Sequence, residues 1–417
     1  MKKDILIIGG GGREHAICWA LSKSKSAGRL HAIPGNAGIA ELAECHAEIG
    51  ATDSAAIVAF AKAYKIGLVI VAPDDPLAAG VVDALEAAGI RAFGPTRAAA
   101  EIESSKAFSK SLMKKYGIPT AGFEVFCDMA AVSKFLRGAA YPLVVKADGL
   151  ALGKGVIICQ NREEAEDAAR SMMAGRFGAS GKTVVVEEFL QGYEVSVLAF
   201  TDGETLVPMV TAQDHKRVFD GDQGPNTGGM GTFSPSRRFD AGLMKKAYDT
   251  IFMPTVSAMK AEGRRFKGVL FFGLMVNGDD IKVLEYNARF GDPETQSVLP
   301  RLKTDLLEIF EAVIDGRLSQ VKVEFDECAA VTVMLASAGY PGDCKKGFPI
   351  TVSKLDENII LFHSGTKTRD DGTLVTNGGR VLGVTAVADT LEQAKEDAYR
   401  NVRRVHFEGM HYRTDIS

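Results

Sequence analysis

Over its first hundred residues the chain alternates short apolar runs with helix-period segments. No other feature of the sequence limits the fold as strongly. The run 67–72, Gly-Leu-Val-Ile-Val-Ala, has no polar side chain on either face. That is the pattern of a parallel strand covered on both sides. Runs 4–8, 30–33 and 90–93 read as further strands. Segment 14–25 places Ile17, Ala20 and Leu21 on one helical face, and 78–88 reads as a helix closed by Gly89. Strands separated by helices predict an open parallel sheet, so this part is expected to be an α/β domain.

Past residue 103 the pattern changes. Segment 104–116 reads as a helix with Phe108, Leu112 and Tyr116 four apart, stopped by Gly117 and Pro119. Strands at 142–147 and 155–159 flank a glycine-rich loop. A helix at 163–174 and strands at 183–189 and 194–200 follow. This predicts a small α+β insert at about 120–190. Residues 212–235 are rich in Gly, Asn, Asp and Gln with little periodicity, and read as a long functional loop. A helix at 241–262, a strand at 269–276, a turn at Asn277 and Gly278, a strand bearing Glu285 and a helix at 304–314 come next. Strands at 329–335, 359–362 and 380–386 and a helix at 390–403 close the chain. The expectation is a multidomain α/β and α+β protein: an N-terminal domain 1–103, a central domain 104–325 containing the insert, and a C-terminal α+β domain 326–417.

Composition narrows the function. A net charge of −4 gives no reason to expect nucleic acid or an anionic membrane as partner. No apolar run approaches the ~18 residues of a membrane span, and the run 5–8 is too short for a signal-peptide core. A cytoplasmic location is expected. The six cysteines form no C-x-x-C and read as reduced thiols. The seven histidines make no H-x-x-x-H or H-E-x-x-H pattern, which argues against a zinc enzyme.

The chemistry is written most plainly in residues 281–294, Ile-Lys-Val-Leu-Glu-Tyr-Asn-Ala-Arg-Phe-Gly-Asp-Pro-Glu. Glu285 and Asn287 share one face of a strand by period-2 geometry. Both offer the oxygen donors that Mg²⁺ prefers. Arg289 follows, so the segment suits a metal-bound polyphosphate.

Three other segments suit phosphates. Gly9, Gly10, Gly11 and Gly12 follow a strand and precede a helix, where backbone amides attract an anion. The spacing is not G-x-G-x-x-G, and strand two ends in Pro34-Gly35-Asn36-Ala37-Gly38 without a ribose-binding acid. One phosphate therefore fits better than NAD. The loop around Gly149, Gly153, Lys154 and Gly155 looks like a Walker A loop but is one residue short, and Gly155 stands where Ser or Thr would bind Mg²⁺. It reads as a hairpin lid over phosphates. Lys146, ending an apolar strand, is expected to meet a phosphate, whereas a loop lysine such as Lys154 is often only solvated. Glu187, Glu188, Phe189 and Leu190 end a strand and suit an adenine hinge, with Glu194 on the ribose hydroxyls.

Taken in order, these elements resemble the ATP-grasp superfamily and, within it, the phosphoribosylamine–glycine ligase family, from Ile5 to Ile416. The carrying segments include 8–16, 34–38, 94–96, 213–217, 224–231, 289–296, 339–342 and 376–380. The resemblance implies ATP and Mg²⁺ or Mn²⁺ as cofactors. Its small-molecule substrates would be glycine and 5-phosphoribosylamine, and the chain a monomer or weak dimer. It places Lys106 and Lys146 on ATP phosphates, Glu285 and Asn287 on metal, and Arg289 on transition-state charge. It places Gly10, Gly11, Gly12 and Asn36 on the ribose 5-phosphate and Asp74 on the ribose. Asp214, Asn226, Thr227 and Gly228 frame the acceptor. Asp292 would orient Arg289 or bind the glycine amine, or else serve only as a turn residue before Pro293. His15 and His215 read equally as packing residues. The chain departs from the family in having Asp74 where Glu is frequent, Leu152 where Ala is frequent, and no second metal carboxylate within 269–276. The nearest alternative keeps the superfamily and changes the acid, as in a formate-using purine ligase or a biotin-carboxylase-like enzyme.

Overall fold

The computed structural model describes residues 2–150, 155–176 and 181–417. The N-terminal part is a five-stranded parallel sheet in the order Glu44–Cys45, Ala27–Pro34, Lys3–Gly9, Leu68–Val71, Ala92–Phe93. Its centre is Lys3–Gly9, whose Ile5, Leu6, Ile7 and Ile8 are all fully buried because both faces are covered. The helix expected at 78–88 is interrupted. Gly80, at φ +87°, ends Asp74–Ala79 and starts Val81–Ala87. A helix at Arg97–Ser104, not anticipated from periodicity, precedes Lys106–Tyr116. Ser105 between them is extended, and its Oγ accepts from the Phe108 amide at 3.0 Å. That cap makes Lys106 the first residue of its helix.

The insert is an antiparallel sheet ordered Phe123–Phe126, Val184–Glu188, Leu143–Ala147, Val156–Cys159. Helices Met129–Leu136 and Arg162–Ser171 share its core. A second antiparallel sheet runs Leu206–Pro208, Tyr193–Thr201, Gly268–Asn277, Asp280–Asn287. Its last hairpin turns at Gly278, φ +59°. The two sheets are bridged where Lys146 Nζ donates to the Leu284 carbonyl at 3.2 Å.

Residues 212–235 are not the long irregular loop that their composition predicts. Gln213–Asp214 and Gly231–Ser234 pair with each other, and Gly231–Ser234 also pairs with Ala329–Ala336. They thereby extend the C-terminal sheet, which continues through Arg380–Ala388 to Ile359–His363. Segments this short carry too few alternations to show a period. Their partner strand lies about a hundred residues downstream.

The glycine loop is where these sheets meet. A Cβ on Gly10 would lie 2.4 Å from the Gly35 carbonyl oxygen, and one on Gly12 would lie 2.5 Å from Gln296 Nε2 and 2.6 Å from Ser364 Oγ. Asn36 fastens the contact. Its amide nitrogen donates to the Gly10 and His363 carbonyls at 2.9 and 2.8 Å, and its oxygen accepts from Gly38 and Ile39 at 2.9 Å each. Close approach therefore explains the glycines as well as anion binding does. Gly10→Ala should lower stability by about 1–3 kcal/mol, the usual cost of forcing backbone apart in a packed interior. Urea denaturation checks this, and an unchanged midpoint would refute the close-approach argument.

His15 joins the same interface. Its Nδ1 accepts from the His363 amide at 2.8 Å, so the ring is neutral at that nitrogen. Desolvation, helped by the nearby His363, pushes His15 down to about 3, and desolvation pushes His363 down to about 4. Below about pH 6.5 the unfolded chain then binds more protons than the folded one, so stability falls as the pH drops toward 4. His15→Gln keeps an acceptor without the titration. Its urea midpoint should fall less than that of the parent chain between about pH 7 and about pH 4.5.

Candidate active site

The site is built around a buried carboxylate. Glu187 is 3% exposed, and its Oε2 lies 2.8 Å from Lys110 Nζ and 3.0 Å from Lys146 Nζ. Lys110 also donates to Thr120 Oγ1 at 2.7 Å. Desolvation, only partly offset by Glu187, pushes Lys110 down to about 8. The Glu187 side chain thus holds Lys146 in place. Val184–Glu188 is also paired on both sides, so its backbone presents no free edge there. Glu188 is exposed and meets Lys282 at 3.0 Å. Phe189 is exposed and Leu190 half-buried just beyond it. Lys106 Nζ donates to the Gly149 carbonyl at 2.8 Å, and Asp148 accepts from the Ala107 amide at 3.0 Å. The lid root is thus tied to the start of the helix. Gly155 accepts from the Ala147 amide at 2.8 Å. Gly153 and Lys154 lie outside the described residues.

The acidic strand faces these lysines. Glu285 Oε1 is 3.3 Å from Lys216 Nζ, which also reaches Glu194 Oε2 at 2.7 Å. Lys216 foremost, with Lys146 and Lys106, holds Glu285 down at about 2 against its burial. Burial opposes charge on Lys216 too, but Glu194 and Glu285 keep it well above the ordinary lysine range. Asn287 Oδ1 accepts from Arg289 at 3.1 Å. Glu285 is therefore a permanently ionised oxygen donor next to an amide oxygen, which fits a hard divalent cation. Lys216 supplies the positive charge beside it in the ligand-free chain. Gly273 pairs with Glu285 across the hairpin, and Gly268–Asn277 carries no carboxylate.

Around Arg289 the charges alternate. Arg289 is gripped by Glu103 at 2.9 Å, not by Asp292. Asp292 instead lies 3.3 Å from Arg380 and accepts from Gln296 at 2.7 Å. Burial raises the Asp292 pKa, but Arg380 and Arg13 outweigh it and keep the carboxyl below its usual range. Asp74 is lowered in the same way, with Arg289 and then Arg13 outweighing burial. In the glycine loop, the Gly11 amide is capped by Glu14 Oε2 at 2.6 Å, and Arg13 Nε meets Glu14 Oε1 at 2.5 Å.

Asp214 and Glu294 form an acid pair. Desolvation, with the charge of Glu294, pushes Asp214 well up, and desolvation pushes Glu294 up. Burial and the mutual repulsion of like charges both disfavour having the two ionised together. Gly229 lies against Asp214, because a Cβ there would stand 2.7 Å from Oδ1. Thr227 Oγ1 donates to the Lys216 carbonyl at 2.8 Å and accepts from the Gly229 amide at 3.0 Å. Gly228 is held between Tyr340 Oη and Arg380 at 2.9 and 2.6 Å. Asn226 pairs with Arg217 in a short ribbon. His215 packs against Phe233. Among the described residues, buried Arg289 Nε, Asp214 Oδ1, Glu187 Oε1, Gln296 Oε1 and Ser364 Oγ have no hydrogen-bond partner. Buried polar atoms left so are costly, and together they outline where a polar ligand would sit.

Sequence reasoning missed Lys110, Lys216, Glu103, Glu294 and Arg380. Lys110 had a signal, since it lies one turn past Lys106 on the same helical face. The others acquire their roles through contacts between distant segments.

Residues 3–103, 104–295 and 330–417 match, in turn, the N domain, the ATP-grasp (A) domain and the C domain of phosphoribosylglycinamide synthetase. Phosphoribosylamine–glycine ligase of Halalkalibacterium halodurans is 48% identical over 415 residues, which is 99% of this chain and 96% of that one. This chain belongs to the phosphoribosylamine–glycine ligase family. The crystal structure of phosphoribosylamine–glycine ligase from Thermotoga maritima has a TM-score of 0.87 at 35% identity, covering 99% of this chain and 100% of that one. The biotin carboxylase domain of Hydrogenobacter thermophilus 2-oxoglutarate carboxylase, solved with MgADP and bicarbonate, has a TM-score of 0.76 over 99% of this chain and 92% of that one. At 16% identity that likeness is of fold alone. Membership in the family makes the chain an enzyme, an ATP-grasp ligase that uses ATP and a divalent metal. Among the described residues no helix is long and apolar enough to cross a membrane.

Glu187→Ala would leave two buried ammonium groups without their anion and should lower stability by about 3–5 kcal/mol. The neighbouring Glu188→Ala breaks an exposed pair and should cost less than about 1 kcal/mol. Urea denaturation of the two variants checks the contrast; equal costs would remove Glu187 from its central place.

Proposed function

We propose that this chain joins glycine to 5-phosphoribosylamine at the expense of ATP, giving glycinamide ribonucleotide, ADP and phosphate, in purine synthesis in the cytoplasm. The observation that carries the reading is the convergence of the glycine loop, Arg289, Asp292 and Arg380 on one place, with Arg289 Nε and Asp214 Oδ1 buried and unpaired. The family likeness supplies the identity of the two substrates.

A carboxylate is a poor acyl donor, so glycine first attacks the γ-phosphorus of ATP and becomes glycyl phosphate. Two anions must meet in this step. Lys106 and Lys146 neutralise the phosphates, and Arg289 stabilises the charge that grows on the transferred group. Mg²⁺, or Mn²⁺ in its place, would be held by Glu285 and Asn287 and would neutralise charge on the phosphates. The amine of phosphoribosylamine then attacks the acyl carbon, and phosphate leaves. A carboxylate of Asp214 or Glu294 receives the proton the amine loses.

Glycine and phosphoribosylamine reach this centre from the side framed by Asp74, the glycine loop and the 224–231 segment. Asn36 acts there as a positioning residue, since both ends of its amide are committed to the loop. Water must be kept from glycyl phosphate, and the 148–155 segment is the proposed lid. Units 1–103, 104–325 and 326–417 are the proposed working domains, in a monomer or weak dimer.

The deciding assay measures ADP release from Mg-ATP with glycine and fresh phosphoribosylamine, omitting each in turn. Dependence on both co-substrates is expected, and ADP formed with bicarbonate or formate instead of glycine would overturn the assignment. Lys146→Ala should lower kcat roughly 10²–10³-fold while the chain stays folded, because Glu187 keeps Lys110. Unchanged turnover would remove Lys146 from the phosphate site.

A further inference from the structure

The seven histidines show no ligand spacing along the chain, yet the fold gathers two of them with an acid at the edge of the N-terminal sheet. In the parallel pairing of Ala27–Pro34 with Glu44–Cys45, His31 stands opposite Glu44. His46 lies two residues past Glu44, so its side chain returns to the same face. His31 Nδ1 is 3.2 Å from His46 Nε2. The Glu44 carboxylate is 3.6 Å from His31 Nδ1 and 4.0 Å from His46 Nε2. Phe60 and Tyr64 pack on both imidazoles.

Two neutral imidazoles at this distance share at most one hydrogen bond. His46 Nδ1 faces the Glu48 carboxylate at 3.6 Å, and His31 Nε2 is buried without a partner. His31 Nδ1 and His46 Nε2 stand 3.2 Å apart, so a cation between the rings would take a lone pair from each, and Glu44 adds a negative oxygen. Tetrahedral ligands at the Zn–N length of about 2.0–2.1 Å are about 3.3 Å apart. The observed nitrogen spacing of 3.2 Å is close to that value.

We propose that His31 Nδ1, His46 Nε2 and the Glu44 carboxylate form a binding site for one zinc-class divalent ion, with water as the fourth ligand. Glu48 lies behind His46, 3.6 Å from the nitrogen that faces away from the proposed ion. The bound ion clamps the two-residue edge strand Glu44–Cys45 onto Ala27–Pro34. That strand runs directly into the Gly35–Asn36 turn that holds the glycine loop. The site is structural and separate in kind from the hard-oxygen pair Glu285 and Asn287.

The test titrates Co²⁺ into the chelator-washed full chain, with millimolar Mg²⁺ present to compete at oxygen-only sites. One Co²⁺ per chain with the intense visible absorption of a tetrahedral centre, displaced by Zn²⁺, is the expected result. Glu44 is exposed, so Glu44→Gln should fold normally and weaken binding roughly ten-fold or more. His46→Gln should abolish the tetrahedral spectrum. Absence of stoichiometric binding, an octahedral spectrum, or affinity unchanged in Glu44→Gln would each overturn the proposal and leave the two rings as a packed pair.

Discussion

One buried carboxylate between two ammonium groups sets the geometry on which the rest depends. Taking any one of Glu187, Lys110 and Lys146 out of water alone would cost several kcal/mol. Together they are tolerable only in a fixed arrangement. Lys110 comes from the helix Lys106–Tyr116, Lys146 from one strand of the insert and Glu187 from its neighbour. The same Lys146 reaches the Leu284 carbonyl, next to Glu285. A helix, the insert and the acidic hairpin are therefore registered against each other by a cluster that no single segment could hold.

Four of the other cations at the site already have an anion. Arg13 has Glu14, Arg289 has Glu103, Arg380 has Asp292, and Lys216 has both Glu194 and Glu285. The site is thus assembled before any ligand arrives. An incoming phosphate does not have to gather cations, only to share them. Such preorganisation is the form of electrostatic catalysis that avoids reorganisation during the reaction.

The legibility of the sequence follows the range of the contacts. Strand 67–72 was readable because burial on both faces needs no knowledge of its partners. The Glu285–Asn287 pair was readable because two residues on one strand face fix their own spacing. Residues 212–235 were not, since the strand that orders them lies in the C-terminal sheet. The hub role of Glu187 was not readable because an acid ending a strand is normally solvated; only the two lysines, 77 and 41 positions earlier, reveal it. The backbone contacts that Asn36 makes to Gly10 and His363 were not readable either, since His363 lies in a distant segment. Arg289 was recognised, but its partner Glu103 sits at the end of a helix that periodicity did not disclose.

A fold shared with a biotin carboxylase domain means that the sheets alone do not choose the acid being activated. The choice has to reside in contacts on the acceptor side. Here those contacts are made by the C-terminal sheet: Arg380 binds the Gly228 and Asp292 carbonyls, Tyr340 holds the Gly228 amide, and Ser364 lies against Gly12. Each of these contacts ties the C-terminal sheet to the glycine loop or to the turns that carry Asp292 and Gly228. Two glycines, Gly228 and Gly229, pass close to Arg380 and Asp214 respectively, so even a methyl group there would intrude. Arg380 and Tyr340 thus come from a part of the chain that carries none of Lys106, Lys146, Glu285 and Asn287, and they hold the Gly228 backbone from outside the acidic hairpin.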